Sequence, residues 1–389
     1  MIFYIILLSG LGTLGYFGAD MYLPSLPSLE TYFSSSKAAV GLSFSIYLFG
    51  ITIGQLLYGT LSDHFGRKMT LIFGLSLFVI ASIACIYSTH IVTFIIWRFI
   101  QALGACASMV IWQAMVIDKF DTDKTHQIFA IVFPMLALSP ALAPTIGGVI
   151  ITLSSWQMIF ITLGLIGLIL FFCVIFFIKE TIKKTSQTKG NFHWQDIKIK
   201  YLTLLRSPIY MGYVCTLGLT SGAYFCYLTA SPFILKQMGY NAMYIGLSYI
   251  PQTIAFMIGG FISKKVVDYF GLKIMTYCLY AFVLFAAILF CATVIFPLHH
   301  ALQIIIPFSV MALLNGILYP RGMSLALNYL PALAGTAAGL AGSVQAFIAF
   351  VSTSILASLL FMGVVSMSVI IVLMAIGGLL FFKFSQTVK

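Results

Sequence analysis

Charged residues are scarce in this chain. Asp, Glu, Lys and Arg together make up 7% of its 389 residues, whereas hydrophobic residues make up 61%. A soluble domain is about one quarter charged and about half apolar, and the mean hydropathy of this chain is +1.09. The composition excludes an ordinary soluble protein and predicts an integral membrane protein. The sequence also lacks the short alternating segments that are typical of a membrane β-barrel.

The sequence lacks the residue patterns that are typical of disulfides, metal sites, ATP-binding loops and membrane enzymes. The 7 cysteines fall in apolar segments without any C-x-x-C spacing, so we expect packing residues and neither disulfides nor a metal site. The 6 histidines fall in predicted loops, and an ATP-binding G-x-x-x-x-G-K-[ST] loop is absent. A membrane enzyme would need clustered His, Ser/His/Asp or paired acids at membrane depth. We therefore expect no enzyme.

The net charge of +11 comes from Lys and Arg residues that lie mainly in four predicted cytoplasmic loops. This distribution follows the positive-inside rule, which fixes membrane orientation. It indicates contact with a lipid bilayer and not with nucleic acid. An even number of spans would place both termini in the cytoplasm. The four basic loops are 64–68, 119–124, 179–206 and 264–273.

Apolar runs of about 20 residues predict membrane-spanning helices. A polar stretch from Lys179 to Arg206 divides them into two sets of six. We therefore predict a bundle over 1–178, a cytoplasmic linker over 179–207 and a second bundle over 208–389. Within the linker, residues 192–205 form either an amphipathic surface helix or a plain connection. The twelve predicted spans are 2–24, 39–61, 69–88, 92–115, 126–150, 156–178, 208–231, 242–263, 273–296, 302–326, 334–359 and 363–384.

The loop between the second and third spans has the spacing G-x-x-x-D-x-x-G-R-K, from Gly59 to Lys68. Gly59 would let two helices approach closely, and Gly66 would form a tight turn. Asp63, Arg67 and Lys68 would anchor the helix ends at the cytoplasmic surface. The alternative is an ordinary basic loop.

Asp20 is the only carboxylate that we place inside a predicted span. A carboxylate in the bilayer is costly, and such residues usually face a cavity and carry protons or ions. Alternatively, Asp20 caps a helix end near the outer surface. Arg98 lies in the fourth span and could hold Asp20 ionised or replace it as a partner. Alternatively, Arg98 snorkels towards a lipid headgroup.

The fifth predicted span holds three prolines and a glycine pair. Pro134, Pro140 and Pro144 would bend the helix, and Gly147 and Gly148 would let a neighbouring helix pack tightly. Such a helix suits a hinge, although a kinked helix without a special role has the same composition.

These motifs resemble the major facilitator superfamily of secondary transporters, and in particular the bicyclomycin-resistance (Bcr/CflA) branch of proton-coupled drug exporters. The resemblance covers nearly the whole chain. It is carried by G-x-x-x-D-x-x-G-R-K from Gly59, GADMYLPSLP over 18–27, RFIQALGA from Arg98, A-P-x-x-G-G over 143–148, YLTASPFIL over 227–235 and AGTAAGLAGSVQ over 334–345.

The resemblance implies an all-α fold of twelve transmembrane helices, arranged as two six-helix halves around a central cavity near the membrane midplane. It implies proton coupling through Asp20, modulation of the proton by Arg98, and an antiporter hinge in the fifth helix. It also implies a cytoplasmic gate in which Arg67 meets Asp63 and Asp118 in the outward-facing state. Asp118 could equally be a solvated helix end.

Polar, aromatic and Met residues on the inner faces of the spans are candidates for the substrate cavity. Relatives commonly have arginine at position 113, where this chain has Gln, and an uncharged residue at position 321, where it has Arg. The two departures leave the cargo preference open. A cavity with Arg98 and Arg321 opposite one acid would suit an anionic or zwitterionic cargo, unless Arg321 lies at the cytoplasmic rim. The candidates are Tyr16, Tyr47, Gln101, Met109, Gln113, Tyr224, Tyr249, Gln252, Asn315, Tyr319 and Arg321.

The sequence therefore predicts a monomeric exporter in a bacterial inner membrane that exchanges protons for small amphipathic molecules by alternating access. The proton gradient would be its energy source, without a cofactor. The alternative is a dedicated transporter of one metabolite class, such as siderophores, sugars or nucleosides. A receptor or scaffold without transport is disfavoured, because Asp20, Arg98 and the A-P-x-x-G-G motif are all present.

Overall fold

The computed structural model describes residues 2–181, 194–271, 273–296, 298–329 and 333–387, and α-helices form nearly all of this part of the chain, without any β-strand. The helices are α1 (Ile2–Asp20), α2 (Leu26–Tyr32), α3 (Lys37–Phe65), α4 (Arg67–Ile86), α5 (Ile91–Lys119), α6 (Thr122–Leu153), α7 (Trp156–Phe177), α8 (Trp194–Leu205), α9 (Pro208–Gln237), α10 (Ala242–Leu247), α11 (Ile250–Phe270), α12 (Lys273–Phe290), α13 (Leu302–Tyr329), α14 (Ala334–Ser358) and α15 (Val364–Thr387).

Eleven segments of the described chain are long and apolar enough to cross a membrane. Helix α9 is not one of them, although it has 30 residues and corresponds to the seventh predicted span. It is rich in Gly, Ser, Thr and Tyr, and most of its residues are buried against neighbouring helices. Small and polar residues of this kind are typical of helices that pack on protein and not on lipid. The predicted all-α membrane architecture is confirmed.

Two predicted spans are interrupted. The first was expected over 2–24, but α1 ends at Asp20, and a 3-10 turn over Leu23–Ser25 leads into α2. The eighth was expected as one helix over 242–263, but it divides into α10 and α11. Prolines explain both breaks. Pro24 lies in the first turn and Pro251 follows the second break, and a proline disfavours helical geometry at the residue before it.

The amphipathic helix predicted over 192–205 is present as α8, so the plain-connection alternative is wrong. Leu204 is fully buried among side chains of the C-terminal helices. The hydroxyl of Tyr201 donates a hydrogen bond to the carbonyl oxygen of Leu56 in α3, at 3.4 Å. Helix α8 therefore contacts helices from both sides of the linker. Residues 182–193 of the predicted linker lie outside the described residues.

Helices that precede and follow the linker meet along two seams. In the outer seam, α6 packs against α10, and the Thr145 hydroxyl donates to the carbonyl oxygen of Gly246 at 3.4 Å. In the second seam, α3 packs against α14, and the Ser343 hydroxyl donates to the carbonyl oxygen of Thr52 at 2.9 Å. The rings of Phe49 and Phe350 lie 4.7 Å apart in the same seam. These seams bring the two sets of helices face to face around the first helix.

A glycine contact sets the distance between α11 and α13. A Cβ atom at Gly259 would collide with the carbonyl oxygen of Leu313, and a Cβ atom at Gly316 would collide with that of Phe256. A Cβ atom at Gly260, the next residue of α11, would meet open space. Backbone contact of this kind is a common way to pack membrane helices, which gain little from hydrophobic exclusion.

We predict that Gly259→Ala destabilises the protein and that Gly260→Ala does not. The first substitution forces α13 away from α11, with a cost of about 1–3 kcal/mol for overpacking. The second adds a methyl group in free space and removes a glycine from a helix, which is neutral or slightly stabilising. Thermal unfolding in detergent compares the two variants. Equal Tm values for them would contradict the proposed backbone contact.

Candidate functional site

The side chain of Arg98 is fully buried in the outer part of the N-terminal helices. One guanidinium nitrogen, Nη1, donates to the carbonyl oxygen of Gly18 at 2.9 Å and also to the side chain of Gln101. The guanidinium carbon lies 4.1 Å from the ring centre of Tyr22 and 4.3 Å from that of Tyr47. The alternative in which Arg98 snorkels to a headgroup is therefore wrong.

The end of helix α1 explains why Arg98 is held there. The last carbonyl groups of a helix lack partners within the helix and carry partial negative charge, which attracts a cation. Gly18 lies two residues before the end of α1, so its carbonyl oxygen can accept from the guanidinium. A second bond fixes the same turn, because the Tyr47 hydroxyl donates to the carbonyl oxygen of Gly15 at 2.9 Å. Gln101 connects this group to α4 by donating to Ser82 at 2.7 Å.

Asp20 is the last residue of α1, and its side chain is 3% exposed. Its Oδ1 atom makes no hydrogen bond with the described residues. No ion pair joins Asp20 to Arg98 among these residues. Nη1 of the guanidinium donates to Gly18 and Gln101, whereas Nε and Nη2 are buried without hydrogen-bond partners in the described part of the chain. The expected pairing of Asp20 with Arg98 is thus not formed. The alternative of a solvated cap at the outer surface is also wrong, because Asp20 is buried.

Four tyrosines from both sets of helices lie within electrostatic range of Asp20, as does Arg98. The phenol groups of Tyr16 and Tyr47 precede the linker, and those of Tyr224 and Tyr249 follow it; each lies close enough to interact electrostatically with Asp20. Four of the predicted cavity residues therefore converge on the predicted proton carrier. The carboxyl group lies where the two sets of helices meet.

The C-terminal part of this site is a hydrogen-bonded aromatic cluster. The hydroxyls of Tyr249 and Ser231 are 2.8 Å apart, and Gln252 donates to the Tyr227 hydroxyl at 2.9 Å. The Tyr227 ring stacks on Phe308 with ring centres 4.2 Å apart. Tyr227 and Ser231 belong to the YLTASPFIL motif but were not predicted as cavity residues, and Phe308 carries no signal in the sequence that distinguishes it from other residues of the apolar spans.

The Tyr224 hydroxyl and the Gln252 carbonyl oxygen are buried without hydrogen-bond partners in the described chain. Buried polar groups normally have a partner, and an unsatisfied one is costly. These two atoms and Oδ1 of Asp20 are thus buried polar atoms that still lack hydrogen-bond partners among the described residues.

Three further cavity candidates are Asn315, Met109 and Gln113. Asn315 accepts a hydrogen bond from Thr220 at 3.1 Å, within the C-terminal helices. Met109 packs against the surface left free by Gly15, and Gln113 is exposed. These residues line helix faces without contacting Asp20 in the described interactions.

Arg321 is half-buried on α13, two residues after Tyr319. Its Nε atom is buried without a hydrogen-bond partner among the described residues. Arg321 therefore stays a candidate residue, either in the cavity or at the cytoplasmic rim.

The Pro/Gly motif of α6 lies at the outer seam. Helix α6 continues without interruption through Pro134, Pro140 and Pro144. A Cβ atom at Gly147 would collide with the carbonyl oxygen of Met21, and one at Gly148 would lie 2.7 Å from that of Ala242. The paired glycines thus let α6 touch both the end of the first span and α10.

The predicted cytoplasmic cluster is formed. Arg67 lies 2.5 Å from Asp63 and 3.0 Å from Asp118, measured between nitrogen and carboxylate oxygen. Arg67 also donates to the Ser62 hydroxyl at 2.6 Å. Gly66 ends α3 with φ of +95°, a conformation that side chains rarely adopt. Asp118 is therefore a paired residue and not a solvated helix end.

One expectation about this loop is wrong. Gly59 does not mediate a close helix approach, because a Cβ atom there would meet none of the described residues within 4 Å. The cluster of Asp63, Arg67 and Asp118 is intact in a structure in which α6 packs on α10 and α3 packs on α14. All three residues precede the linker, so rocking of that half as a unit leaves their bonds unchanged.

Glu180 is a cluster member that the sequence analysis assigned only to the linker. Its carboxylate accepts from the backbone N–H groups of Arg67 at 3.0 Å and Lys68 at 3.2 Å, at the start of α4. The Lys68 ammonium donates to the carbonyl oxygen of Ile175 at 2.8 Å. A carboxylate at a helix N-terminus accepts hydrogen bonds from the free N–H groups, and its negative charge interacts favourably with the helix dipole. The spacing of 113 residues between Glu180 and Arg67 left no local signal.

The Major Facilitator Superfamily profile matches residues 8–353 of the chain. A transporter from Bacillus subtilis, named uncharacterized MFS-type transporter YdgK, is 32% identical over 263 residues, which cover 67% of this chain and 65% of that protein. The chain thus spans somewhat less than two thirds of that relative's length.

Two other relatives match over most of their length. A bicyclomycin resistance protein homolog from Haemophilus influenzae is 26% identical, with 92% of this chain and 89% of that protein covered. A multidrug resistance protein MdtL from a Shewanella species is 29% identical, with 92% and 88% covered. These names confirm the resemblance to the bicyclomycin-resistance branch.

Solved structures share the fold. A D-xylose–proton symporter superposes with a TM-score of 0.74 at 16% identity, with 98% of both chains covered. A mutant form of the nucleoside transporter NupG superposes with a TM-score of 0.73 at 12% identity, with 100% of this chain and 99% of that chain covered.

We predict that Glu180→Ala lowers the stability of the protein by about 1 kcal/mol, the usual cost of losing a helix N-terminal cap. Glu180→Gln keeps one acceptor oxygen and should fall between the Ala variant and the wild type. Thermal unfolding in detergent measures the order of the three proteins. A Glu180→Ala variant as stable as the wild type would contradict the capping role.

We predict that Arg98→Lys destabilises the protein by about 1–3 kcal/mol, because an ammonium group cannot stack on Tyr22 and Tyr47 as a planar guanidinium does. Arg206→Lys is the matched control, since Arg206 is exposed at the end of α8. Chemical or thermal unfolding of both variants tests the difference. Equal stabilities would show that the aromatic contacts contribute nothing measurable.

Proposed function

The chain belongs to the Major Facilitator Superfamily of transporters, and we propose that it is a proton-coupled exporter of small amphipathic molecules. The observation that supports this proposal most is the environment of Asp20. Its carboxyl group is buried at the meeting point of the two sets of helices, without an ion pair or a hydrogen bond to Oδ1 among the described residues.

Proton binding is the first step of the proposed mechanism. A buried carboxylate without a partner is unfavourable, and a proton removes its charge. A cationic group of a cargo molecule would stabilise the carboxylate in place of the proton. Proton and cargo would then compete for Asp20, and this competition is what couples their movements in opposite directions.

Arg98 has a supporting role in this proposal. Its bond to the carbonyl oxygen of Gly18 links its position to the end of α1, two residues before Asp20. A change in the charge of Asp20 would alter the balance between this carbonyl oxygen and the carboxylate as partners for the guanidinium. Arg98 would thus transmit the protonation state of Asp20 to α5 and, through Gln101 and Ser82, to α4.

Alternating access would occur by rocking of the two sets of helices about the site. The Pro140, Pro144, Gly147 and Gly148 motif of α6 would act as the hinge, since it forms the outer seam with α10. The cluster of Asp63, Arg67, Asp118 and Glu180 would keep the cytoplasmic ends of the N-terminal helices together during this motion.

The export direction is supported by relatives named for bicyclomycin and multidrug resistance. We propose a bacterial inner-membrane location with both termini in the cytoplasm, a monomer, and the proton gradient as the energy source without a bound cofactor. A dedicated transporter of one metabolite class, such as a siderophore, sugar or nucleoside, is the alternative that the following experiment separates.

We predict that Asp20→Asn abolishes cargo-dependent proton flux. The purified protein is placed in liposomes with an imposed pH gradient, and proton flux is followed on addition of a panel of cations, zwitterions and anions. Asp123→Asn is the matched control, because Asp123 is an exposed acid in the first turn of α6. The control should retain the flux of the wild type.

The panel distinguishes the two transport functions. Flux triggered by several unrelated compounds, and lost in Asp20→Asn, supports export of varied amphipathic molecules. Flux triggered by one compound class alone supports the dedicated transporter. Flux that persists in Asp20→Asn rejects Asp20 as the proton carrier.

A further inference from the structure

Three uncharged polar side chains meet in the seam between α3, α13 and α14. The Tyr319 hydroxyl donates to Oε1 of Gln345 at 3.1 Å. The side-chain amide of Gln55 lies against Gly342, where a Cβ atom would approach all three amide atoms of Gln55. Gly342 and Gln345 are three residues apart and share a face of α14. Gln55 and Gln345 are therefore neighbours across the seam.

The three residues lie at the same depth. Gln55 is 10 residues before the end of α3, Tyr319 is 10 residues before the end of α13, and Gln345 is 11 residues after the start of α14. At about 1.5 Å per residue, each lies about 15 Å from the cytoplasmic end of its helix. They form a layer on the cytoplasmic side of Asp20, which ends α1 at the outer side.

Each glutamine in this layer has one amide atom without a partner. Oε1 of Gln55 and Nε2 of Gln345 are buried and make no hydrogen bond with the described residues. The Gln345 side chain is 9% exposed. Buried amide atoms normally have hydrogen-bond partners. Two unpaired amide atoms on opposite sides of the seam are therefore unusual, and they are unfavourable for the folded state. One is an acceptor and the other is a donor.

We propose that Gln55, Tyr319 and Gln345 form a cargo subsite for an uncharged group that carries both a donor and an acceptor, such as a secondary amide. The N–H of such a group would donate to Oε1 of Gln55, and its carbonyl oxygen would accept from Nε2 of Gln345. Tyr319 keeps the Gln345 amide in the required orientation by occupying its Oε1 atom. Gly342 leaves the room that the Gln55 amide needs.

The chemistry of the layer excludes the simpler ions as its best ligand. A carboxylate has no proton for Oε1 of Gln55, and an ammonium group has no lone pair for Nε2 of Gln345. The subsite therefore selects for the neutral polar part of a cargo molecule, whereas Asp20 selects for its cationic part. This inference rests on the proposed transport function, because it names part of the cargo.

Procainamide and procaine test the subsite, because both are amphipathic amines with a carbonyl group and only procainamide has the amide N–H. Their Kd values for the purified protein in detergent are measured by calorimetry. We expect the wild type to bind procainamide about five- to tenfold tighter, as one additional hydrogen bond would give. Gln55→Met should bring the two Kd values together, and Gln345→Met should weaken both compounds.

Gln237→Met is the matched control, because Gln237 is exposed at the end of α9; it should keep the preference of the wild type. Unfolding curves establish that each variant is folded. The subsite is rejected if the wild type does not bind procainamide, if it binds both compounds equally, or if Gln55→Met keeps the preference.

The calorimetric measurement needs no proton gradient. Its result therefore tests the subsite independently of the proposed proton-coupled transport. A preference that depends on Gln55, combined with no proton flux in liposomes, supports the subsite and rejects proton-coupled export. Proton flux that depends on Asp20, combined with equal Kd values, rejects the subsite alone.

Discussion

The positive charge of a guanidinium group that is buried among membrane helices must be stabilised by its surroundings. The groups that stabilise the charge of Arg98 determine much of the site. The carbonyl oxygen of Gly18 accepts one of its hydrogens, and the rings of Tyr22 and Tyr47 cover its faces. The free carbonyl groups at the end of α1 thus take the place of a carboxylate partner. Asp20, two residues later, is a buried acid without an ion pair among the described residues. In the proposed function, a proton or a cationic cargo is its partner.

The seams between the two sets of helices surround this acid. Gly148 and Gly246 bring α6 and α10 into backbone contact at the outer side, and Gly147 brings α6 against Met21. Hydrogen bonds and ring contacts join α3 to α14. The tyrosines around Asp20 come from both sets, so any rocking motion changes the environment of the carboxyl group. In the proposed mechanism, the charge of this carboxyl group would therefore depend on the conformation of the protein and would in turn bias that conformation.

The sequence predicted well the features that depend on local patterns. Apolar runs gave the spans, G-x-x-x-D-x-x-G-R-K gave the left-handed Gly66 and the contacts of Arg67, and the amphipathic pattern gave α8. It failed where the partner is a backbone atom or a distant residue. The bond from Arg98 to the Gly18 carbonyl oxygen has no side-chain signature, and Glu180 lies far along the chain from the helix that it caps. The prediction for Gly59 was wrong because its position in a motif does not say which helix face it occupies.

The most direct test of the account is the number of protons that leave the protein when a cargo binds. A permanently charged cation that triggers flux is added to the protein in weakly buffered detergent solution, and a pH-sensitive dye reports the proton release. If Asp20 exchanges its proton for the cation, one proton is released for each cation bound to the wild type, and none is released from Asp20→Asn. Binding of the cation to the wild type without proton release, or equal release from Asp20→Asn, would contradict the account.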